Sequence, residues 1–137
     1  MKYKGVIIDE SLADKTILET IEIESTKVEP ITPEHKTPWL KHWTLHNVLI
    51  DEKEADLIAE KLSKSLDYSH GTSWYADFKN DKTHFIIFRD KIFKFDRSKA
   101  EEYQLATNYG LSLGIPDYQV DFAPNVVEWK RQNQHKY

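Results

Sequence analysis

The stretch Ser73–Asp96, SWYADFKNDKTHFIIFRDKIFKFD, decides the fold of this chain. Two turn signals, at Asn80-Asp81 and near Arg89–Lys91, divide it into three short runs rich in aromatic and β-branched residues. Runs of this composition separated by tight turns are typical of antiparallel strands. The stretch therefore predicts a three-stranded β-meander.

A two-residue turn at Asn80-Asp81 would fix the register of the first two strands. Lys79 would then pair with Lys82, and Asp77 would lie directly opposite His84. Because side chains alternate along a strand, residues two apart share a face. One predicted face carries Trp74, Ala76, Phe78, Phe85, Ile87 and Ile92, and the other carries Tyr75, Asp77, His84, Ile86, Phe88, Phe93 and Phe95. Both faces are largely apolar, so we expect helices, other strands or a partner subunit to cover the sheet on both sides.

The segments around the meander predict further strands and two helices. Alternating apolar and polar residues predict four more strands: Lys2–Asp9, Ile17–Val28, Lys41–Ile50 and Tyr118–Phe122. Capping boxes at Asp51 with Glu54 and at Ser98 with Glu101 predict the two helices. The first helix covers Glu52–Leu66, and the second ends at Gly114.

The resulting element order, β-β-β-α-β-β-β-α-β, predicts an α+β fold. We expect a mixed or antiparallel sheet with two main helices packed on it. From Lys41 onward the order also matches an elaborated ferredoxin-like unit with one added strand. The length of 137 residues indicates a single domain, which we place at residues 1–122, followed by a C-terminal tail at residues 123–137.

Composition excludes several classes of function. The chain has no cysteine, which rules out disulfides, thiolate metal sites and cysteine nucleophiles. The apolar run before Asp9 is too short for a signal peptide or a membrane-spanning helix. The formal net charge of −4 gives no general attraction to nucleic acid. We therefore expect a cytoplasmic protein that partners neither a membrane nor nucleic acid.

Three runs of the sequence resemble those of a family of small uncharacterised prokaryotic proteins of unknown function. The runs are HKTPWLKHWTLH at His35–His46, WYADFKNDKTHFIIF at Trp74–Phe88 and YGLSLGIPDYQVDF at Tyr109–Phe122. The resemblance covers most of residues 1–122. It implies a cytoplasmic prokaryotic setting and brings no activity, ligand or catalytic residue with it.

Asp77 and His84 are candidates for acid/base chemistry. A carboxylate opposite an imidazole can fix the tautomer of the imidazole and raise its basicity, as general acid/base catalysis requires. Tyr75 lies two residues along the same predicted face. The alternative is structural, because an Asp/His pair within an apolar face also satisfies two buried polar groups.

The spacing His42-x3-His46 suggests a metal site only if the segment is helical. On a strand the two residues lie about 13 Å apart, which is too far to share one ion through bonds of about 2 Å. A helix opened by Thr37 and Pro38 would bring them one turn apart, and the sequence leaves open whether Thr37–Ile50 begins as a helix or as a strand. No third ligand is placed by the sequence, so we assign no metal and no other cofactor.

The tail carries an apolar cluster of Val126, Val127 and Trp129. We expect this cluster to contact a second subunit, because two helices are too few to cover both apolar faces of the sheet. A frayed terminus is the alternative.

The sequence thus predicts a small self-associating binding or regulatory protein of unknown ligand, forming a homo-oligomer. The alternative is a small acid/base enzyme built on Asp77, His84 and Tyr75. An enzyme requires these groups to converge in an open pocket, whereas a binding protein should bury them and expose an apolar surface elsewhere.

Overall fold

The computed structural model describes residues 2–33, 37, 39–69, 73–115 and 119–120. Within these ranges the strands are β1 (Tyr3–Ile8), β2 (Glu22–Pro30), β3 (His42–Ile50), β4 (Tyr75–Lys79), β5 (Thr83–Phe88) and β6 (Lys91–Asp96). The α-helices are α1 (Ala55–Ser65), between β3 and β4, and α2 (Tyr103–Ser112), after β6. The predicted α+β class is confirmed.

The strands form one antiparallel sheet in the order β2-β3-β1-β4-β5-β6. Both β3 and β4 pair with β1, so these two strands run parallel to each other on either side of it, and α1 connects them. A ferredoxin-like unit has the same split β-α-β arrangement. Here, however, the strand in the middle comes from the N-terminus and not from a later part of the chain.

The close pairing of β1 with β4 depends on a glycine. Gly5 lies opposite Phe78, and a Cβ atom added at Gly5 would lie 2.2 Å from the carbonyl oxygen of Asp77 and 2.7 Å from Cβ of Phe78. Because no side chain fits at that separation, glycine lets the central strand reach its neighbour.

The two helices cover opposite faces of the meander. Helix α1 packs Ile58 and Leu62 in a cluster with the meander side chains Trp74, Phe78, Phe85, Ile87 and Ile92. Helix α2 packs Tyr103 and Ala106 in a second cluster with Tyr75, Ile86, Phe88, Phe93 and Phe95. The prediction of two apolar faces, both covered, is confirmed for the meander.

The predicted register of the first hairpin is wrong by two residues. Lys79 pairs with His84 instead of Lys82, and Asp77 pairs with Ile86. The turn falls one residue later than predicted because the Asn80 side chain accepts the backbone N–H groups of Lys82 and Thr83, at 2.9 and 2.8 Å. A shift of two residues leaves every side chain on its predicted face, since side chains alternate with a period of two.

The boundaries of the second strand differ from the prediction. Residues Lys15–Thr20 form a 3₁₀ helix instead of the start of a strand, and the Asp14 carboxylate caps it by accepting the backbone N–H of Thr16 at 3.0 Å. The strand itself is β2, Glu22–Pro30.

Neither predicted capping box forms. The Asp51 side chain makes no cap hydrogen bond, and the Ser98 hydroxyl bonds to Asp96. Each α-helix instead follows a short 3₁₀ turn, at Glu52–Glu54 or Ala100–Glu102. Helix α2 ends just before Gly114, whose φ of 86° is the left-handed conformation of a helix terminus.

Two predictions fall mainly beyond the part of the chain that the structure describes. Of the predicted strand Tyr118–Phe122 only Gln119 and Val120 are described, and neither is in a strand. The apolar tail cluster of Val126, Val127 and Trp129 lies outside the described residues.

Candidate functional site

Strands β4 and β5 bring Asp77 and His84 together on the face that α2 covers. The two residues lie diagonally across the ladder, because Asp77 pairs with Ile86. His84 Nε2 is 2.7 Å from Asp77 Oδ2, and His84 Nδ1 is 3.0 Å from the hydroxyl of Tyr103 on α2. A carboxylate, an imidazole and a phenol thus form one hydrogen-bonded chain that links the sheet to the helix.

This chain of groups is sealed from solvent. Asp77 is 3% exposed, and His84 and Tyr103 are each 1% exposed. Both ring nitrogens of His84 face protein groups, which leaves neither of them open to a substrate. A general acid or base must come within hydrogen-bonding distance of the group that it protonates or deprotonates. The geometry therefore fits a structural cluster and not an open acid/base site.

Tyr75 packs toward the C-terminal end of α2 and the residues that follow it. Its hydroxyl donates to the carbonyl oxygen of Gln119, and its ring packs 6.0 Å from the ring of Phe88. The phenol hydrogen-bonded to His84 is that of Tyr103. Tyr103 could not be identified from the sequence, because no local pattern shows which residue of a helix will meet a given position on a sheet.

A second polar cluster lies where β1 ends. The segment His42–Ile50 is a strand, so the helical alternative for the two histidines does not apply. His46 Nε2 lies 3.1 Å from Asp9 Oδ1, and His42 Nε2 lies 3.7 Å from Glu10 Oε2. Each imidazole thus faces a different carboxylate of the turn that follows β1.

The carboxylates of this cluster hold the turn against β3. The Glu10 carboxylate accepts hydrogen bonds from the backbone N–H of Thr44 at 2.6 Å and from the Thr44 hydroxyl at 2.8 Å. Thr44 lies beyond the last residue of β3 that pairs with β1, so the carboxylate supplies the acceptor for its N–H. Burial alone would raise the pKa of Asp9. Hydrogen bonds from Lys15 and His46 outweigh that effect, so the pKa of Asp9 lies below its ordinary value of 3.8.

Neither cluster has the arrangement of side chains that a metal site requires. Among the described residues, no group of three or more histidine, aspartate or glutamate side chains is arranged to hold a metal ion. A surface cavity of about 340 Å³ lies beside the C-terminal end of α1, where Thr16, Thr20, Lys61 and Lys64 line it. None of the Asp/His cluster residues lines this cavity.

The most exposed element of the sheet is its edge strand β2. Eight of its nine residues are exposed and one is half-buried. The exposed residues include two large apolar side chains, Ile23 at 39% and Val28 at 59%. We call the outer edge of this strand, Glu22–Pro30, the β2 edge. In the strand order of the described sheet, β3 lies on one side of β2 and the other side has no neighbouring strand.

Comparisons of the chain with protein-family models, with curated proteins and with solved structures give no match. No activity can therefore be carried over from a relative, and the geometry alone supports the functional interpretation. None of the helices in the described ranges combines the length and the apolar character that crossing a membrane requires.

Proposed function

We propose that the protein is a non-enzymatic binding or regulatory protein that self-associates through the β2 edge. The observation that carries this proposal is the exposure of β2 along nearly its whole length, together with the burial of the candidate catalytic groups. A cytoplasmic, prokaryotic setting is part of the proposal and rests on the family resemblance.

Burial of the Asp/His pair argues against the alternative of an acid/base enzyme. Asp77 and His84 lie under α2 with their facing atoms hydrogen-bonded to each other and to Tyr103. Opening this site to a substrate would require α2 to leave the sheet and expose the apolar cluster beneath it. The hydrophobic effect opposes such a movement at about 25 cal/mol per Å² of apolar surface.

The length and composition of β2 argue for association. Proteins commonly protect a free sheet edge by keeping the edge strand short, and β2 has nine residues. Ile23 and Val28 would each gain a cross-strand neighbour and lose part of their contact with water if another strand were added. Addition of a strand from a second copy would also place a backbone ladder on the side of β2 away from β3.

The test is the mass of the protein in solution, measured by light scattering or sedimentation over a range of concentrations. We expect a concentration-dependent dimer, and we expect Val28→Lys to raise the dissociation constant by at least about tenfold, because one buried valine contributes about 1.5–3 kcal/mol. Leu57→Lys is the matched control, since Leu57 is also a large apolar residue, is 54% exposed and belongs to α1 instead of β2.

Two results would contradict the proposal. Charged residues and a bulge also protect edges from pairing, so a wild-type chain that stays monomeric at all concentrations would refute self-association. A dimer that Val28→Lys leaves intact would place the contact elsewhere on the molecule.

A further inference from the structure

A β-bulge gives the β2 edge an unexpected distribution of side chains. Ile23 pairs with Val48 and Ser25 pairs with Asn47, so Glu24 is an extra residue in the ladder with β3. Because neighbouring ladder positions alternate between faces, Ile23 lies on the same face as Thr26 and Val28. In a regular strand Ile23 and Val28, five residues apart, would lie on opposite faces. The hydrogen-bonding contact between Thr26 Oγ1 and His46 Nδ1, at 3.0 Å, is consistent with this assignment.

The two apolar side chains lie at equal distances from Thr26 along the ladder. Val28 is two positions after Thr26, and Ile23 is two positions before it once the bulged Glu24 is left out. Consider two antiparallel copies of one strand related by a two-fold axis at a central residue. The residue two ladder positions after the centre in one copy then lies opposite the residue two positions before the centre in the other copy. A second copy of the same strand would therefore place each Val28 opposite an Ile23.

We propose that two copies of the chain pair their β2 strands antiparallel about a two-fold axis at Thr26, which makes one continuous sheet of both subunits. This inference rests on the proposed function and adds the register of the contact. It places Thr26 opposite Thr26 of the second copy, and Ile23 opposite Val28 on both sides of the axis. Such an isologous contact uses the same residues twice and closes at a dimer.

The charges along the strand fit this register near the axis. Lys27 of one copy faces Ser25 of the other copy. The bulged Glu24 next to that Ser25 lies within reach of the same Lys27. Opposite charges that meet across strands stabilise the pairing. Glu22 would face Glu29 at the ends of the contact, which is unfavourable, and the ion pair of Glu22 with Lys2, at 3.1 Å, offsets part of that repulsion.

Disulfide trapping tests the register, because the chain has no cysteine of its own. Thr26→Cys should form a disulfide-linked dimer under mild oxidation, since directly opposed Cα atoms lie about 5 Å apart. Val28→Cys is the control. In the proposed register its thiol lies about 13 Å from its counterpart, four ladder positions away, and should not crosslink. An equimolar mixture of Ile23→Cys and Val28→Cys should crosslink as the mixed pair.

The outcomes separate the register from the proposed function. Crosslinking of Thr26→Cys and of the mixed pair, but not of Val28→Cys alone, supports the register. A dimer that dissociates with Val28→Lys but is trapped by Val28→Cys and not by Thr26→Cys would overturn the register and leave association through β2 intact. A monomeric wild-type chain, or a dimer unaffected by Val28→Lys, would overturn both inferences.

Discussion

Replacing His84 by phenylalanine should destabilise the fold strongly, because the substitution removes both hydrogen bonds at the centre of the buried cluster. Phenylalanine cannot replace the 2.7 Å contact with Asp77 or the 3.0 Å contact with Tyr103. At 3% exposure the Asp77 carboxylate has almost no access to water that could take the place of the imidazole. Leaving a buried polar group unsatisfied costs about 1–3 kcal/mol, and more when the group is charged, so we expect a loss of unfolding free energy of at least about 1–3 kcal/mol.

Urea unfolding followed by circular dichroism measures this loss, with the slope of the transition checking that the unfolding remains two-state. Two further variants locate its origin. Tyr103→Phe removes one neutral hydrogen bond and should cost about 1–2 kcal/mol. The double variant Asp77→Leu with His84→Phe removes both members of the pair and should recover most of the stability that His84→Phe alone loses.

A small effect of His84→Phe would refute this reasoning. A loss below about 1 kcal/mol would mean that water reaches the Asp77 carboxylate, since a buried polar group left unsatisfied costs about 1–3 kcal/mol. Asp77 and His84 would then be accessible from solvent, as the alternative of an acid/base enzyme requires. A double variant less stable than His84→Phe would instead show that an unsatisfied Asp77 carboxylate is not the source of the loss.

Three further predictions concern the core, the central strand and the second cluster. Leu62→Ala should lower the free energy of unfolding in urea by about 2–5 kcal/mol. Leu57→Ala, on the exposed side of the same helix, should lower it by less than about 0.5 kcal/mol. Equal losses would mean that the buried face of α1 is assigned wrongly. Gly5→Ala should lower the melting temperature sharply, because its Cβ would lie 2.2 Å from the backbone oxygen of Asp77, and a melting temperature equal to that of the wild type would contradict the close pairing. The lowered pKa of Asp9 stabilises the fold above pH 3.8 and loses that contribution as the pH falls below it, so the stability difference between wild type and Asp9→Asn should shrink in acid. A difference that stays constant from neutral to acidic pH would show that the Asp9 carboxylate is not held by its partners.

The parts of the fold that local pattern determines could be predicted from the sequence. The alternation of aromatic residues in the meander gives the correct two faces, because face assignment depends only on a period of two. The register required more, since the side chain of Asn80 moves the turn by one residue. A turn signal shows that the chain reverses, but the hydrogen bonds of its side chains decide where.

Contacts between distant segments could not be predicted in the same way. The central position of β1 brings Asp9 and Glu10 to His46 and Thr44, residues more than thirty positions later in the chain. No local pattern specifies which strands become neighbours. Gly5 was a usable signal, since a lone glycine in a strand often marks a close approach of another backbone.

The predicted and the proposed association surfaces lie in different parts of the chain. The sequence predicts a subunit contact at Val126, Val127 and Trp129, which lie outside the described residues, and the proposal places the contact at the β2 edge. In a regular strand over Glu22–Pro30, Ile23 and Val28 would lie on opposite faces, because they are five residues apart. The bulge at Glu24 changes that assignment, because an inserted residue reverses the alternation of everything on one side of it. Ile23 and Val28 then share a face with Thr26 midway between them. The symmetry that this spacing creates exists only in the folded strand, so self-association through β2 is an inference that requires the structure.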